Sequence, residues 1–147
     1  MEIDRYFEQI VDPTIADFEA NPTSVRHTFL AAVAVFHAID YLGAGNHRKK
    51  FRETDPDFAL VDRIAHAFKH VHTGHPADPN LQPLSAEDVI SRPPAVWDRA
   101  VWDLSSWDDA TGGITLDGDR QLDVLSRIQR AAEFIRLQIK ADRPTGS

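Results

Sequence analysis

The chain has 147 residues, with 16 Lys and Arg against 23 Asp and Glu, a formal net charge of -7, seven His and no Cys. This length predicts one domain with a sizeable core. The lack of cysteine excludes a disulfide scaffold, a thiolate zinc site and a cysteine nucleophile, and the negative charge makes nucleic acid an unfavourable partner overall.

The N-terminal segment and the most apolar stretch predict neither export nor membrane insertion. The sequence opens with MEIDRYFEQIVDP, which has no basic region followed by an apolar one, so we expect no signal peptide. The most apolar stretch, residues 28–42, contains His37 and Asp40 and is too short and too polar to span a bilayer. We therefore expect a soluble cytoplasmic protein without a membrane partner.

Hydrophobic spacing predicts a mainly α protein, a bundle of about four principal helices. Apolar residues recur at helical intervals over residues 3–18, and Asp12-Pro13 interrupts them as an N-cap followed by proline at the first helical position. The first helix is therefore expected to kink or restart there. Thr23 or Ser24 is expected to cap a second helix that runs to about Leu42 and is apolar nearly all round, which is typical of a central helix.

A loop and a third helix are expected next. Residues 43–55 are predicted to form a loop that carries a small basic cluster, residues 47–50. Asp55-Pro56 repeats the signal of a cap followed by proline, and it is expected to open a helix that runs to about His72.

The last principal helix is expected over residues 119–140, because apolar residues there recur in steps of three and four. Asp123 and Arg127 are expected to pair one turn apart on its wetter side. The narrow apolar seam is also a candidate surface for a homodimer. Its members are Leu125, Ile128, Ala132, Ile135 and Ile139.

Two short stretches before the last helix predict a small β-hairpin, formed by Val101–Ser106 and Gly113–Leu116. Residues 85–88 resemble a capping motif for a short helix upstream of it. Together these elements predict one helical domain over residues 1–140, followed by a flexible tail over residues 141–147.

Three Trp-Asp pairs define a candidate aromatic surface, formed by Trp97, Trp102 and Trp107. Their spacing of five fits neither a helix nor a strand, so one regular surface cannot hold all three. They are candidates to contact a protein partner, a sugar or a stacked base, or to cover the open end of the bundle. Residues 98–123 carry seven Asp against two Arg, which disfavours nucleic acid and permits a basic protein partner.

The third predicted helix separates into an apolar and a polar face on an ideal helical wheel. We expect the apolar face to pack in the core and the polar face to lie on the opposite side. The apolar face comprises Val61, Ile64, Ala65, Phe68 and Val71. The polar face comprises Asp62, Arg63, His66 and His70.

The second predicted helix adds His37 and Asp40 to an otherwise apolar segment. A buried carboxylate without a partner is costly, and the helix macrodipole opposes negative charge near a C-terminus, so we expect a cation or donor beside Asp40. The nearest candidates are Lys69, His66 and His70. The sequence therefore predicts a polar cluster of all five residues between two helices.

The same histidines are candidates for a metal site, because His66 and His70 have the spacing at which two imidazoles share one metal. With a third ligand from His37 or Asp40 they would suit zinc, nickel or iron. The segment lacks the glutamate of an HExxH motif. The structural alternative is a core histidine at position 37 and a solvated face on the third helix, so we predict no cofactor, with a divalent metal as the alternative.

The residues His37-Ala-Ile-Asp40, followed by Ala65-His-Ala-Phe-Lys69-His70, resemble uncharacterised small bacterial helical proteins that pair a His-x-x-Asp helix with an Ala-x-x-x-Lys-His helix. This resemblance covers about the first half of the chain and implies no activity. The chain is more loosely similar to HEPN domains, many of which use an Arg followed by four to six residues and a His at a dimer interface. Arg63 and His70 match that pattern.

The HEPN resemblance implies a metal-independent ribonuclease in which Arg63 stabilises charge on the scissile phosphate and His70 acts as general acid or base. The residues themselves favour a different function, a non-enzymatic binding or accessory protein whose polar cluster joins two helices. The ribonuclease and a metal-binding helical bundle are the two alternatives.

Overall fold

The computed structural model describes residues 1–42, 45–70, 84–98, 100, 109–116, 119 and 122–142. Over these residues the protein is mainly α, with a small antiparallel sheet before the last helix, as the sequence predicts. The helices are α1 Ile3–Tyr6, α2 Asp12–Ala20, α3 Val25–His37, α4 His47–Thr54, α5 Pro56–His70 and α6 Val124–Asp142. The strands are β1 Val89–Arg92 and β2 Gly113–Leu116. Within these ranges no helix combines the length and apolar character that crossing a bilayer requires.

A π-helical turn, Phe7–Val11, joins α1 and α2 into one continuous helix. Asp12 has helical backbone angles, so its predicted role as an N-cap is wrong, and its carboxylate pairs with Arg136 of α6. Pro13 has no N–H to offer the carbonyl one turn earlier, and the wide turn absorbs this defect without ending the helix.

Side-chain caps start α3 and α5 where the sequence predicts them. The Ser24 hydroxyl oxygen accepts a hydrogen bond from the His27 N–H at 3.3 Å, and Asp55 Oδ1 accepts one from the Phe58 N–H at 2.6 Å. A 3₁₀ turn, Ala38–Tyr41, follows α3 and completes the second predicted segment.

Helix α4 lies within residues 43–55, so the prediction of a loop there is wrong. The side chain of Asn46 caps its first turn. Phe51 is buried, and its ring packs edge-on against Phe58 and Phe134, with ring centroids 5.7 and 5.0 Å apart. A short helix with one large apolar anchor among basic residues gives no hydrophobic period, so the spacing did not reveal it.

The strand predicted at Gly113–Leu116 is confirmed, but its partner is Val89–Arg92. The other predicted strand, Val101–Ser106, lies outside the described residues. The predicted short helix is a 3₁₀ turn, Ala86–Asp88, whose capping box begins at Ser85. Only four residues of β1 follow this turn, so their alternation was too short to recognise.

A turn directly before β2 contains Gly112, which has a φ of 71°. An added Cβ there would lie 2.5 Å from the Arg92 carbonyl oxygen, so both the angle and the space require glycine. Asp109 stabilises the turn because it accepts the Gly112 N–H at 2.9 Å and pairs with Arg92 Nη2 at 2.7 Å.

Helices α3, α5 and α6 enclose the core, to which α1, α2 and the sheet add side chains. The apolar seam of α6 packs into this core, so it is not free to form the predicted homodimer surface. Its buried members are Ile128, Ala132, Ile135 and Ile139, and Leu125 is partly buried. Helix α6 continues through residues 141–142 of the predicted tail, and residues 143–147 lie outside the described part.

A buried carboxylate at the start of α5 ties that helix to α6. Asp57 lies 2.7 Å from Nε of both Arg127 and Arg130. The hydrogen bond to Asp57 raises the pKa of Arg130. The expected pairing of Asp123 with Arg127 is replaced, because Arg127 turns to Asp57 and Asp123 accepts the Ser126 N–H at 3.3 Å.

Tyr6 fixes the N-terminal helix against α3. Its hydroxyl donates to the Ala34 carbonyl oxygen at 2.9 Å, and its ring stacks on Tyr41 with centroids 4.5 Å apart. Burial, followed by the charges of Tyr41 and Asp40, raises the pKa of Tyr6 to about 12.

We expect the protein to lose stability as the pH rises from 10 to about 12. The unfolded tyrosine ionises near its ordinary pKa of 10.0, whereas the folded one keeps its proton to about 12, so stability that is present below pH 10 declines over this interval. Urea unfolding across this range measures the effect. Tyr6→Phe should show a smaller decline than wild type, and an equal decline in Tyr6→Phe would refute the assignment.

Candidate functional site

A buried carboxylate, Asp62 of α5, is the centre of a polar cluster and is only 3% exposed. Arg48 Nε and Nη2 donate to its two oxygens at 2.7 and 3.3 Å, and Arg52 Nη1 lies 3.8 Å away. The helical wheel placed Asp62 on the face away from the core, but α4 covers that face. Two guanidinium groups therefore meet one carboxylate, which leaves an excess of positive charge.

His66 belongs to the same cluster. Its Nδ1 donates to the Asp62 carbonyl oxygen at 2.8 Å, and it lies 3.5 Å from Asp62 Oδ1. A carbonyl oxygen only accepts, so this contact fixes the proton on Nδ1. The ring packs edge-on against Phe36 with centroids 5.2 Å apart. His66 is thus held by backbone, carboxylate and ring contacts together.

His37 and Asp40 form a separate pair on the surface. His37 Nδ1 lies 2.8 Å from Asp40 Oδ2, and their side chains are 54% and 63% exposed. The expectation that Asp40 is buried and pairs with a cation of the third helix differs from this arrangement. The 3₁₀ turn after α3 changes the helical phase and leaves Asp40 in solvent, beside a partner on its own segment.

The remaining predicted site residues lie along α5. Lys69 and His70 are exposed in its last turn, and the His70 ring lies 6.0 Å from that of His66. Arg63 is partly buried, with Nε and Nη2 shielded from solvent. The structure thus divides the predicted cluster into the His37–Asp40 pair, His66 in the buried cluster, and an exposed helix end.

Within the described ranges, no three His, Asp or Glu side chains converge as ligands for one metal ion. The His37–Asp40 pair and the His66–His70 pair are separate groups. His66 also commits Nδ1 to the backbone.

The aromatic surface is described only at Trp97, which is 98% exposed, because Trp102 and Trp107 lie outside the described residues. Phe68 differs from its predicted place in the core and is 53% exposed. It lies near the end of α5, where one face of its ring stacks on Phe29 with centroids 5.0 Å apart.

A cleft of about 470 Å³ opens between the 3₁₀ turn and the start of α4. Its apolar wall is formed by Phe36, Ile39 and Leu42, and its polar wall by Asp40, Asn46, His47 and Arg48. The Arg48 side chain is 41% exposed, and its Cζ lies 5.5 Å from the centre of the Phe36 ring. A cation whose position is fixed by Asp62 and Phe36 therefore borders the cleft.

Sequence reasoning missed Asp62, Arg48 and Arg52 as a group. The available signal was Asn46, a good N-cap residue placed directly before a run of residues that favour helix. Comparison of the chain with protein-family models, with curated proteins and with solved structures found no match. The resemblances to the His-x-x-Asp helical proteins and to HEPN domains stay predictions.

Proposed function

We propose that this protein is a non-enzymatic binding protein of the cytoplasm, which takes a small molecule into the cleft beside α4. One observation carries the proposal: Arg48 borders the cleft while Asp62 holds its Nε and Nη2 at 2.7 and 3.3 Å. A side chain that is already fixed loses less conformational entropy when a ligand binds. The cleft volume of about 470 Å³ falls within the range of about 300–1,000 Å³ that is typical of ligand sites.

In this proposal the polar cluster positions the cleft rather than carrying out chemistry. Arg48 and Arg52 of α4 both meet Asp62 of α5, so the ion pairs join the two helices. His66, also on α5, bonds to the Asp62 backbone within that helix and contacts Phe36 of α3, which lines the cleft, so it connects α5 to α3. These contacts support the structural role that the sequence favours for a polar cluster. Of the predicted members, the cluster retains only His66, and its other members are Arg48, Arg52 and Asp62.

Binding is tested by backbone amide NMR with five probes of different chemistry: phenylacetate, glycerol phosphate, putrescine, glucose and adenosine. We expect at least one to cause saturable shifts at residues 36–42 and 45–48. Lys50→Ala, an exposed change on α4 away from the cleft lining, should leave these shifts unchanged. The proposal fails if no probe moves these amides at millimolar concentration.

The non-enzymatic part has its own readouts on the same preparation, purified without a tag or metal resin. RNA incubated with it in EDTA should stay intact, and elemental analysis should find no stoichiometric metal. Arg63 and His70 lie two turns apart on α5, so RNA cleavage that is lost in both Arg63→Ala and His70→Ala would establish the HEPN-like ribonuclease. One equivalent of metal lost with His66→Ala would establish the metal-binding bundle.

A further inference from the structure

We infer that the cleft selects a small organic monoanion, a carboxylate joined to an apolar body of a few carbons. The inference rests on the proposed function and names the class of ligand. Three properties of the cleft carry it: the charge of the cluster behind it, the donors that Arg48 has left, and the apolar wall.

The charge of the cluster favours an anion with a single charge. Arg48 and Arg52 share Asp62, so the three side chains carry one excess positive charge. Asp40 also lines the cleft, and its carboxylate opposes any negative charge on a ligand. A monoanion is repelled less by Asp40 than a dianion is, and its single charge can be met by the excess charge at Arg48.

The free donors of Arg48 favour a planar acceptor in the plane of the guanidinium. Nε donates its single N–H and Nη2 one of its two N–H groups to Asp62, and Nη2 also lies 3.5 Å from His66 Nδ1. Among the described residues, the two N–H groups of Nη1 have no such contact and are the donors open to a ligand. Arg48 Cζ lies over the Phe36 ring, 5.5 Å from the ring centre. A carboxylate suits these remaining donors, because its planar oxygens accept hydrogen bonds in the plane of a guanidinium.

One wall of the cleft is apolar. Phe36, Ile39 and Leu42 line it beside the arginine, so a carboxylate bound to Arg48 places the adjoining carbon atoms against them. The volume of about 470 Å³ suits a ligand on the order of ten non-hydrogen atoms. Phenylacetate has this size and carries both parts.

The test compares the dissociation constants of matched probes in NMR titrations at low salt. Phenylacetate should bind at least about tenfold more tightly than phenylacetamide, which lacks the charge, and than acetate, which lacks the apolar body. Phenyl phosphate, a dianion at pH 8, should bind more weakly than phenylacetate. Equal binding of phenylacetamide or acetate would overturn the inference, as would tighter binding of phenyl phosphate.

Substitutions in the cleft distinguish the effect of the Arg48 charge on binding from that of the Asp40 charge. Arg48→Gln should weaken phenylacetate at least about tenfold, and Lys50→Gln should leave it unchanged. Asp40→Asn removes the opposing charge at an exposed position, so it should tighten phenylacetate about twofold to fivefold without affecting phenylacetamide. This variant keeps the test decisive if Arg48→Gln does not fold, because unchanged or weaker phenylacetate binding in it contradicts the inference.

The failure of this inference is distinguishable from that of the proposed function. If phenylacetate does not change the chemical shifts of the cleft amides, but putrescine, glucose, glycerol phosphate or adenosine does, the inferred ligand class is wrong and the binding function stands. If no probe shifts them, both are wrong.

Discussion

Replacing Phe51 with alanine is expected to lower the free energy of unfolding by about 3–5 kcal/mol. Phe51 is 1% exposed and is the buried side chain of α4, where it meets Phe58 and Phe134. Its removal leaves a cavity and detaches a helix of 8 residues, which is too short to be stable alone. Urea unfolding measures the loss, and hydrogen exchange should show that the α4 amides lose protection first.

Phe68→Ala is the matched control, since this aromatic is half exposed and contacts Phe29 with one face of its ring. It should cost about 0.5–1.5 kcal/mol, the value of a stacked pair. Equal costs for Phe51→Ala and Phe68→Ala would mean that Phe51 does not anchor α4.

Asp62→Ala is expected to cost about 2–3 kcal/mol, because it leaves two neighbouring guanidinium groups without their shared carboxylate. The value lies below that of a fully buried ion pair, since Arg48 and Arg52 remain partly in contact with water, which screens their repulsion. Equilibrium unfolding in urea gives the difference from wild type.

Asp40→Ala is the control for Asp62→Ala, because it removes the same group from an exposed pair. Its cost should stay within about 0.5 kcal/mol. If Asp40→Ala costs as much as Asp62→Ala, the surface pair carries the stability that we assign to the buried cluster.

The sequence predicts the long helices well because their caps and apolar periods are local signals. Ser24 and Asp55 cap the helices they were expected to cap. The prediction was wrong at residues 43–55, where a single phenylalanine anchors α4 and no period exists. Because α4 was not predicted, its contacts with Asp62 were not predicted either. A helical wheel of α5 alone places Asp62 away from the core.

The candidate site was only partly predictable for a related reason. His66 was recognised as a member of a polar cluster, but its partners depend on which helix packs over it. Asp40 was expected to need a buried cation, and the 3₁₀ turn instead left it in solvent. Long-range packing, which no local pattern encodes, determines both outcomes.

The position of α4 along the chain has a consequence for the order of folding. Arg48 and Asp62 are separated by 14 positions, whereas Asp57 and Arg130 are separated by 73. Closing a short loop costs less chain entropy than closing a long one, so the contacts that shape the cleft can form before α6 arrives. The walls of the cleft are therefore drawn from one stretch of neighbouring sequence, whereas the anchor of α4 on Phe134 forms only when the C-terminal helix packs.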